Sequence, residues 1–264
     1  MPEQSEWDTP FSSAAATHVG LVRERNEDSM IALPEVGLWA IADGMGGHQA
    51  GAFASACVTE ALATLAAFGP ATDVEALARA GHDRIADANK KIFDFSRAIG
   101  GVAGATVAAL FATDRRIACL WCGDSRIYRL RNGAMEQLTH DHTELQEYID
   151  RGALSPEEAE HWPNRNVLTR AIGVAEAPQL DSLLGDLRPD DVFVVCSDGL
   201  TIHVGDAEIQ SVLRGRAARA GCNQLVELAL SRGGKDNVSV IVVQFKPDAT
   251  RPARGRRSAR QASS

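Results

Sequence analysis

Three apolar runs of strand length in this chain end on an aspartate: "GLWAIA" into Asp43-Gly44, "IACLWCG" into Asp124-Ser125, and "VFVVC" through Ser197 into Asp198-Gly199. A fourth run, "NVSVIVVQF", begins just after Asp236. An Asp-Gly pair alone reads as a turn. If the last strand lies antiparallel to those ending at Asp43 and Asp198, all four carboxylates gather at one end of a sheet core. Glu27-Asp28, placed between two strand-like runs, can join them. Packed carboxylates repel one another and resist desolvation unless protons or cations compensate. All-oxygen ligation without a His or Cys cluster suits Mg2+ or Mn2+ and disfavours structural zinc. Two such ions can share a water, lower its pKa and stabilise charge on a transferred phosphoryl group. Arg23, four residues before Glu27, offers a guanidinium fork for phosphate oxygens, against the plain alternative of a surface arginine.

The rest of the chain reads as one α+β domain. Strands are expected at "THVGLV", "SMIAL" and "GLWAIA", then two helices at about 48–67 and 73–98, broken at Gly69-Pro70. A meander follows through "GATVAALFA", "RIACLWCG", "IYRLRNG" and "MEQLT", with a turn at Arg131-Asn132-Gly133. From His140 to about Gly173 the chain turns polar and helical, and Ser155 to Glu158 supplies an N-cap, a proline at the first helical position and first-turn acids. The sheet resumes at "DVFVVCSDG", a helical segment covers about 206–231, and "NVSVIVVQF" closes the fold.

No apolar run is read as approaching the roughly 20 residues of a membrane span, and the first residues lack a secretory layout, so the expected location is cytoplasmic. The five cysteines suit reduced core thiols; in Cys119-Leu-Trp-Cys122, strand alternation turns the two thiols to opposite faces. The formal charge is −8, and because the last fourteen residues hold five arginines and no acid, residues 1–250 carry −13. That balance argues against nucleic acid as a partner, and the basic end reads as a solvated, disordered tail.

The ordered set "VGLVRERNEDS", "IADGMGGHQAG", "GATVAAL", "GDSRIYRLRNG", "LTHDHT", "NVLTRAIG", "CSDGL" and "KDNVSVIVV" resembles the metal-dependent protein serine/threonine phosphatases of the PPM, or type 2C, family in its compact bacterial form. The resemblance runs from about Thr17 to Phe245. It implies a four-layer α/β/β/α sandwich, two antiparallel sheets flanked by helix pairs, with a flap near 142–172 above the site. The implied domain is 17–246, between an extension at 1–16 and the tail at 247–264.

By the same resemblance, Asp43, Asp198 and Asp236 hold one Mn2+ or Mg2+ ion. Asp43 bridges to a second, served by the Gly44 carbonyl and Glu27, with Asp28 close behind. Asp124 joins Asp198 around a third, weaker ion, Asn237 supports the ligands from behind, and Arg23 binds phosphate. A metal-bridging water is expected to displace the seryl or threonyl oxygen with no phosphoenzyme. Many animal members carry a histidine directly after Asp-Gly where this chain has Met45, which leaves His48 or a metal-bound water as the general acid. His140, His142 and His161 are expected at the surface or facing substrate. The implied partners are phosphoproteins and an opposing Hanks-type kinase, with a monomeric protein. A silent phosphoprotein-binding module and a phosphatase of anti-sigma antagonists are the rival readings.

Overall fold

The computed structural model describes residues 9–47, 49–160, 162–163 and 165–246. His48, His161 and the basic segment 247–264 therefore lie outside the described residues, as do residues 1–8. In chain order the elements are β1 (Phe11–His18), β2 (Asp28–Leu33), β3 (Leu38–Met45), α1 (Gln49–Ala63), α2 (Val74–Ile99), β4 (Gly104–Ala105), β5 (Val107–Ala112), β6 (Arg116–Cys122), β7 (Arg126–Arg131) and β8 (Ala134–Gln137). There follow α3 (Glu144–Asp150), α4 (Pro156–Glu160), β9 (Asp181–Asp186), β10 (Val192–Cys196), α5 (Asp198–Thr201), α6 (Asp206–Leu213), α7 (Ala218–Ser231) and β11 (Val238–Phe245).

The strands form two sheets, ordered β1-β11-β10-β7-β8 and β2-β3-β5-β6-β9, with β4 paired to β3. Every described strand pair is antiparallel. Three apolar clusters define the layers. One, with Trp39, Ile41, Leu110, Phe193 and Ile241, fills the space between the sheets. A second joins the outer face of β3, β5 and β6 to α1 and α2 through Ala54, Val58, Leu62, Ile85 and Phe111. The third joins β10 and β11 to α6 and α7 through Ile209, Leu225, Val240 and Val242. The result is a helix, sheet, sheet, helix stack. Cys119 belongs to the intersheet cluster and Cys122 to the outer one, so the two thiols do face opposite ways.

Local chemistry explains most boundaries. Asp73 caps α2 by accepting from the amides of Glu75 and Ala76, and Gly100 ends it in the left-handed region. Asn132 and Gly133 both have positive φ, at 52° and 78°, as the tight β7–β8 hairpin requires. Ser155 and Glu158 form the reciprocal cap of α4, with bonds of 2.8 and 3.2 Å.

Five expectations need correction. Strand β1 covers Phe11–His18 rather than starting at Thr17, so residues 11–16 pair with β11 instead of forming an extension. "VGLV" is loop, because its amide and carbonyl groups turn to Gly234 and Asn237. Strand β9 is an addition to the expected strands: "DSLLGD" is an edge strand with alternate residues exposed, and its acids and glycine hide the pattern. The helical segment at 206–231 is two helices, broken at 214–217. Finally, Gln49–Phe68 does reach membrane-span length and mean hydropathy. In the fold its small-residue face packs on β2, β3 and α2, so its apolar character serves the core.

Ile241 lies fully buried between the sheets at the middle of β11. Ile241→Ala should lower unfolding free energy by about 2–5 kcal/mol, read as a shifted urea midpoint.

Candidate metal centre

The antiparallel arrangement brings the acids to one end of the sandwich. Asp28, first in β2, pairs directly with Asp43 near the end of β3. Strand β10 runs out through Ser197 into Asp198 at the end where β11 begins after Asp236. Strand β6 points the same way as β3, so Asp124 emerges beside them. Thr106 fixes Asp43 from the neighbouring chain: its hydroxyl accepts from the Asp43 amide at 3.0 Å, and its amide donates to the Asp43 carbonyl at 2.8 Å.

Two glycines allow this convergence. A Cβ on Gly44 would collide with the Gly51 carbonyl oxygen, so the end of β3 can rest on the first turn of α1 only without a side chain there. A Cβ on Gly199 would likewise strike the Asn237 carbonyl oxygen, where the turn after Asp198 crosses the start of β11. Glu27 extends its side chain over Gly51, and its carbonyl accepts from the Gly44 amide at 3.2 Å.

Asn237 locks the loop carrying Arg23 and Glu27. Its side-chain oxygen accepts from the Glu27 amide at 2.8 Å, while its side-chain NH2 donates to the carbonyls of Val19 at 2.8 Å and Arg25 at 2.9 Å. Arg23 reaches from that loop to donate to Asp236 Oδ2 at 2.6 Å. Its own side chain is 56% exposed, so the guanidinium sits at the mouth of the cluster.

Burial sets the electrostatics. It pushes the Asp43 carboxyl well above the ordinary range, reinforced by the charges of Asp28, Asp198, Asp124 and Asp236. Asp198 is raised in the same way, by burial and then by Asp124, Asp236 and Asp28. Asp124 is pushed up to about 7 by burial and then by Asp141. Asp28 rises only to about 6, because hydroxyl donors from Ser239 at 2.6 Å and Ser197 at 2.8 Å offset its desolvation.

Two oxygens, Asp28 Oδ1 and Asp198 Oδ1, are buried with no hydrogen-bond partner among the described residues. Bare oxygens in a dry carboxylate cluster are costly unless a proton or a cation meets them, and hard oxygen donors fit Mn2+ or Mg2+. Among the described residues, no three acids yet stand as a finished cage for one ion. The fit therefore rests on donor type and on the bare oxygens, with Arg23 drawing Asp236 to itself.

The expected residues thus converge, His48 excepted because it lies outside the described residues. His142 corrects the expectation of a surface group: it is buried, stacked near Trp121. His140 is exposed and pairs with Asp150 at 2.7 Å. Met45 packs on Gly104 of β4. Sequence reasoning passed over the supporting hydroxyls Thr17, Thr106, Ser125, Ser197 and Ser239, and the flap residue Asn166, whose side-chain nitrogen lies 3.4 Å from Asp198 Oδ2. Thr17 and Ser239 lie in β1 and β11, while Thr106, Ser125 and Ser197 stand at strand ends, so the available signal was a small hydroxyl residue beside an acid-bearing strand end.

A carboxyl raised in the folded state takes up a proton on folding, so its contribution to stability declines as pH rises from the unfolded pKa near 4 through its folded value. For Asp124 that window runs from the ordinary value of 3.8 to about 7. In chelator, Asp124→Asn should therefore lose less stability than wild type between pH 5 and 7.5, the difference being on the order of 2 kcal/mol. Paired urea titrations at the two pH values measure it; equal slopes would contradict the assignment.

Comparison with known proteins adds what geometry alone does not. The family model described as Protein phosphatase 2C matches residues 22–231. The chain is 39% identical over 234 residues to the serine/threonine protein phosphatase PstP of Mycobacterium tuberculosis, a match covering 87% of this chain and 44% of that protein, so it spans less than half of that relative's length. A solved structure of PppA, described as a key regulatory component of T6SS in Pseudomonas aeruginosa, superposes with a TM-score of 0.82 at 38% identity, covering 89% of this chain and 98% of that one. A structure of the catalytic domain of PstP in complex with 2 manganese ions gives a TM-score of 0.80 at 35% identity, covering 90% and 99%. With sandwich, carboxylate cluster and family model in agreement, the chain belongs to the protein phosphatase 2C family.

Proposed function

We propose that this chain is a metal-dependent phosphoprotein phosphatase that hydrolyses phosphoserine and phosphothreonine. The observation that carries the reading is the buried carboxylate cluster with two unpartnered oxygens beside an exposed arginine. Asp43, Asp198 and Asp236 are assigned to one ion, with Asp43, the Gly44 carbonyl and Glu27 serving a second and Asp28 behind them. Asp124 and Asp198 are assigned to a third, weaker one. When bound, Mn2+ or Mg2+ supplies Lewis acidity and a more acidic water.

The chain's own residues account for the rest. Arg23, whose guanidinium donates to Asp236 at the mouth of the cluster, orients the phosphoryl group through its remaining donors. Ser197 and Ser239 hold Asp28, Asn237 holds Glu27, and Thr106 holds Asp43, so the donors are set before substrate arrives. His48 or a water protonates the leaving oxygen. Direct displacement by water also fits the thiols: burial pushes Cys119, Cys122 and Cys196 up to about 12 and Cys222 to about 11, which leaves no reactive thiolate among them. The same reading assigns the chain a Hanks-type serine/threonine kinase as the enzyme it opposes. The flap, packed around Tyr148 and Trp162, selects among phosphoproteins.

The test is phosphate release from a phosphothreonine peptide by metal-stripped protein with Mn2+ or Mg2+ restored, beside Asp43→Ala and Asp236→Ala. Metal-dependent turnover in wild type should fall by at least about 100-fold in each variant. A folded, metal-loaded wild type with no turnover on peptide or phosphoprotein would favour a phosphoprotein-binding module instead.

A further inference from the structure

The flap is tied to the carboxylate cluster through one buried imidazole. His142 and Gly123 exchange backbone and ring contacts: the His142 amide donates to the Gly123 carbonyl at 3.0 Å, and the Gly123 amide donates to His142 Nδ1 at 3.1 Å. Gly123 directly precedes Asp124 and sits at a φ of 101°, so these two bonds fix the turn that aims Asp124. On its other side, His142 Nε2 lies 3.2 Å from Asp181 Oδ2 at the start of β9. The second oxygen of Asp181 accepts from Arg170 at 3.1 Å, on the returning limb of the flap.

Both limbs meet here. The Thr169 amide donates to the His142 carbonyl at 2.9 Å, and the Glu144 amide donates to the Val167 carbonyl at 2.9 Å. Trp121 closes the site from β6: its ring lies at 19° to the imidazole, and its Nε1–H donates to the His140 carbonyl at 2.9 Å. A backbone amide can only donate, so Nδ1 must be the bare nitrogen and Nε2 must carry the proton given to Asp181. Burial, which lowers the His142 pKa despite Asp181, keeps the ring neutral and the tautomer unique.

We propose that His142 is a positioning residue that couples the flap to the Asp124 turn, holding Gly123 through Nδ1 and the Asp181–Arg170 pair through Nε2–H. The phosphatase reading enters only the kinetic arm of its test. The two ends of the coupling should separate by substitution. His142→Asn places an acceptor where Nδ1 stands and loses Asp181; His142→Gln reaches toward Asp181 and releases Gly123.

In 15N NMR of histidine-labelled full-length protein, His142 should show a bare Nδ1 and a protonated Nε2; the opposite tautomer, or a doubly protonated ring at neutral pH, would overturn the proposal. With Mn2+ present, His142→Asn and Arg170→Ala should leave turnover of p-nitrophenyl phosphate near wild type and lower kcat/KM for a phosphoprotein about tenfold. His142→Gln should lower both by about tenfold. Equal losses on both substrates for all three variants, in step with falling melting temperature, would reduce His142 to packing and overturn it. A wild type inactive on both substrates would instead remove the phosphatase reading, while the NMR result would still decide the role of His142.

Discussion

Carboxylates packed together away from water repel one another, and each loses hydration that no neighbouring acid can replace. At the end of this sandwich, Asp28, Asp43, Asp124 and Asp198 accept that penalty together, and burial raises all four. A fold tolerates such an arrangement when protons or cations balance it, and two of the oxygens have no hydrogen-bond donor. Much of the local structure follows from this constraint. Hydroxyls from Ser197 and Ser239 satisfy one oxygen of Asp28 and leave the other bare, while Arg23 partly neutralises Asp236 from the open side.

The scaffold that holds these charges is rigid for ordinary reasons. Three apolar layers fix the two sheets and their helices, and antiparallel pairing delivers each strand end to the same edge. Small residues do the final fitting, since Gly44 and Gly199 let backbones touch where any side chain would part them. Asn237 binds three backbone groups of one loop with a single amide, which places Glu27 and Arg23 without lengthening any strand. The base of the flap rests on His142, which meets Gly123 and Asp181, as well as on the sheets.

The parts of this architecture that were legible in the sequence are those that repeat or punctuate. Apolar runs ending in Asp43, Asp124 and Asp198 marked both the strands and the cluster, and alternation assigned Cys119 and Cys122 to opposite faces. Strand β9 escaped because an edge strand buries only one half-apolar face, and "DSLLGD" looks like loop. The start of β1 escaped because "SSAAA" takes its extended form from pairing with β11, a contact more than 220 residues distant. His142 was misplaced because a polar flanking sequence, "THDHT", suggests solvent, whereas Trp121 and Asp181 come from strands that sequence proximity cannot reveal. The supporting hydroxyls share that fate: a serine in a strand shows its purpose only when the carboxylate across the sheet is known.

The central claim is that the carboxylates are gathered to hold cations. Anomalous diffraction from crystals grown with Mn2+, collected at the manganese edge, tests it most directly. The account predicts strong anomalous peaks within ligating distance of Asp43, Asp198 and Asp236, with Asp43 touching more than one. Crystals equilibrated with saturating Mn2+ that show no peak in the cluster, or Mn2+ bound only at surface acids, would contradict it.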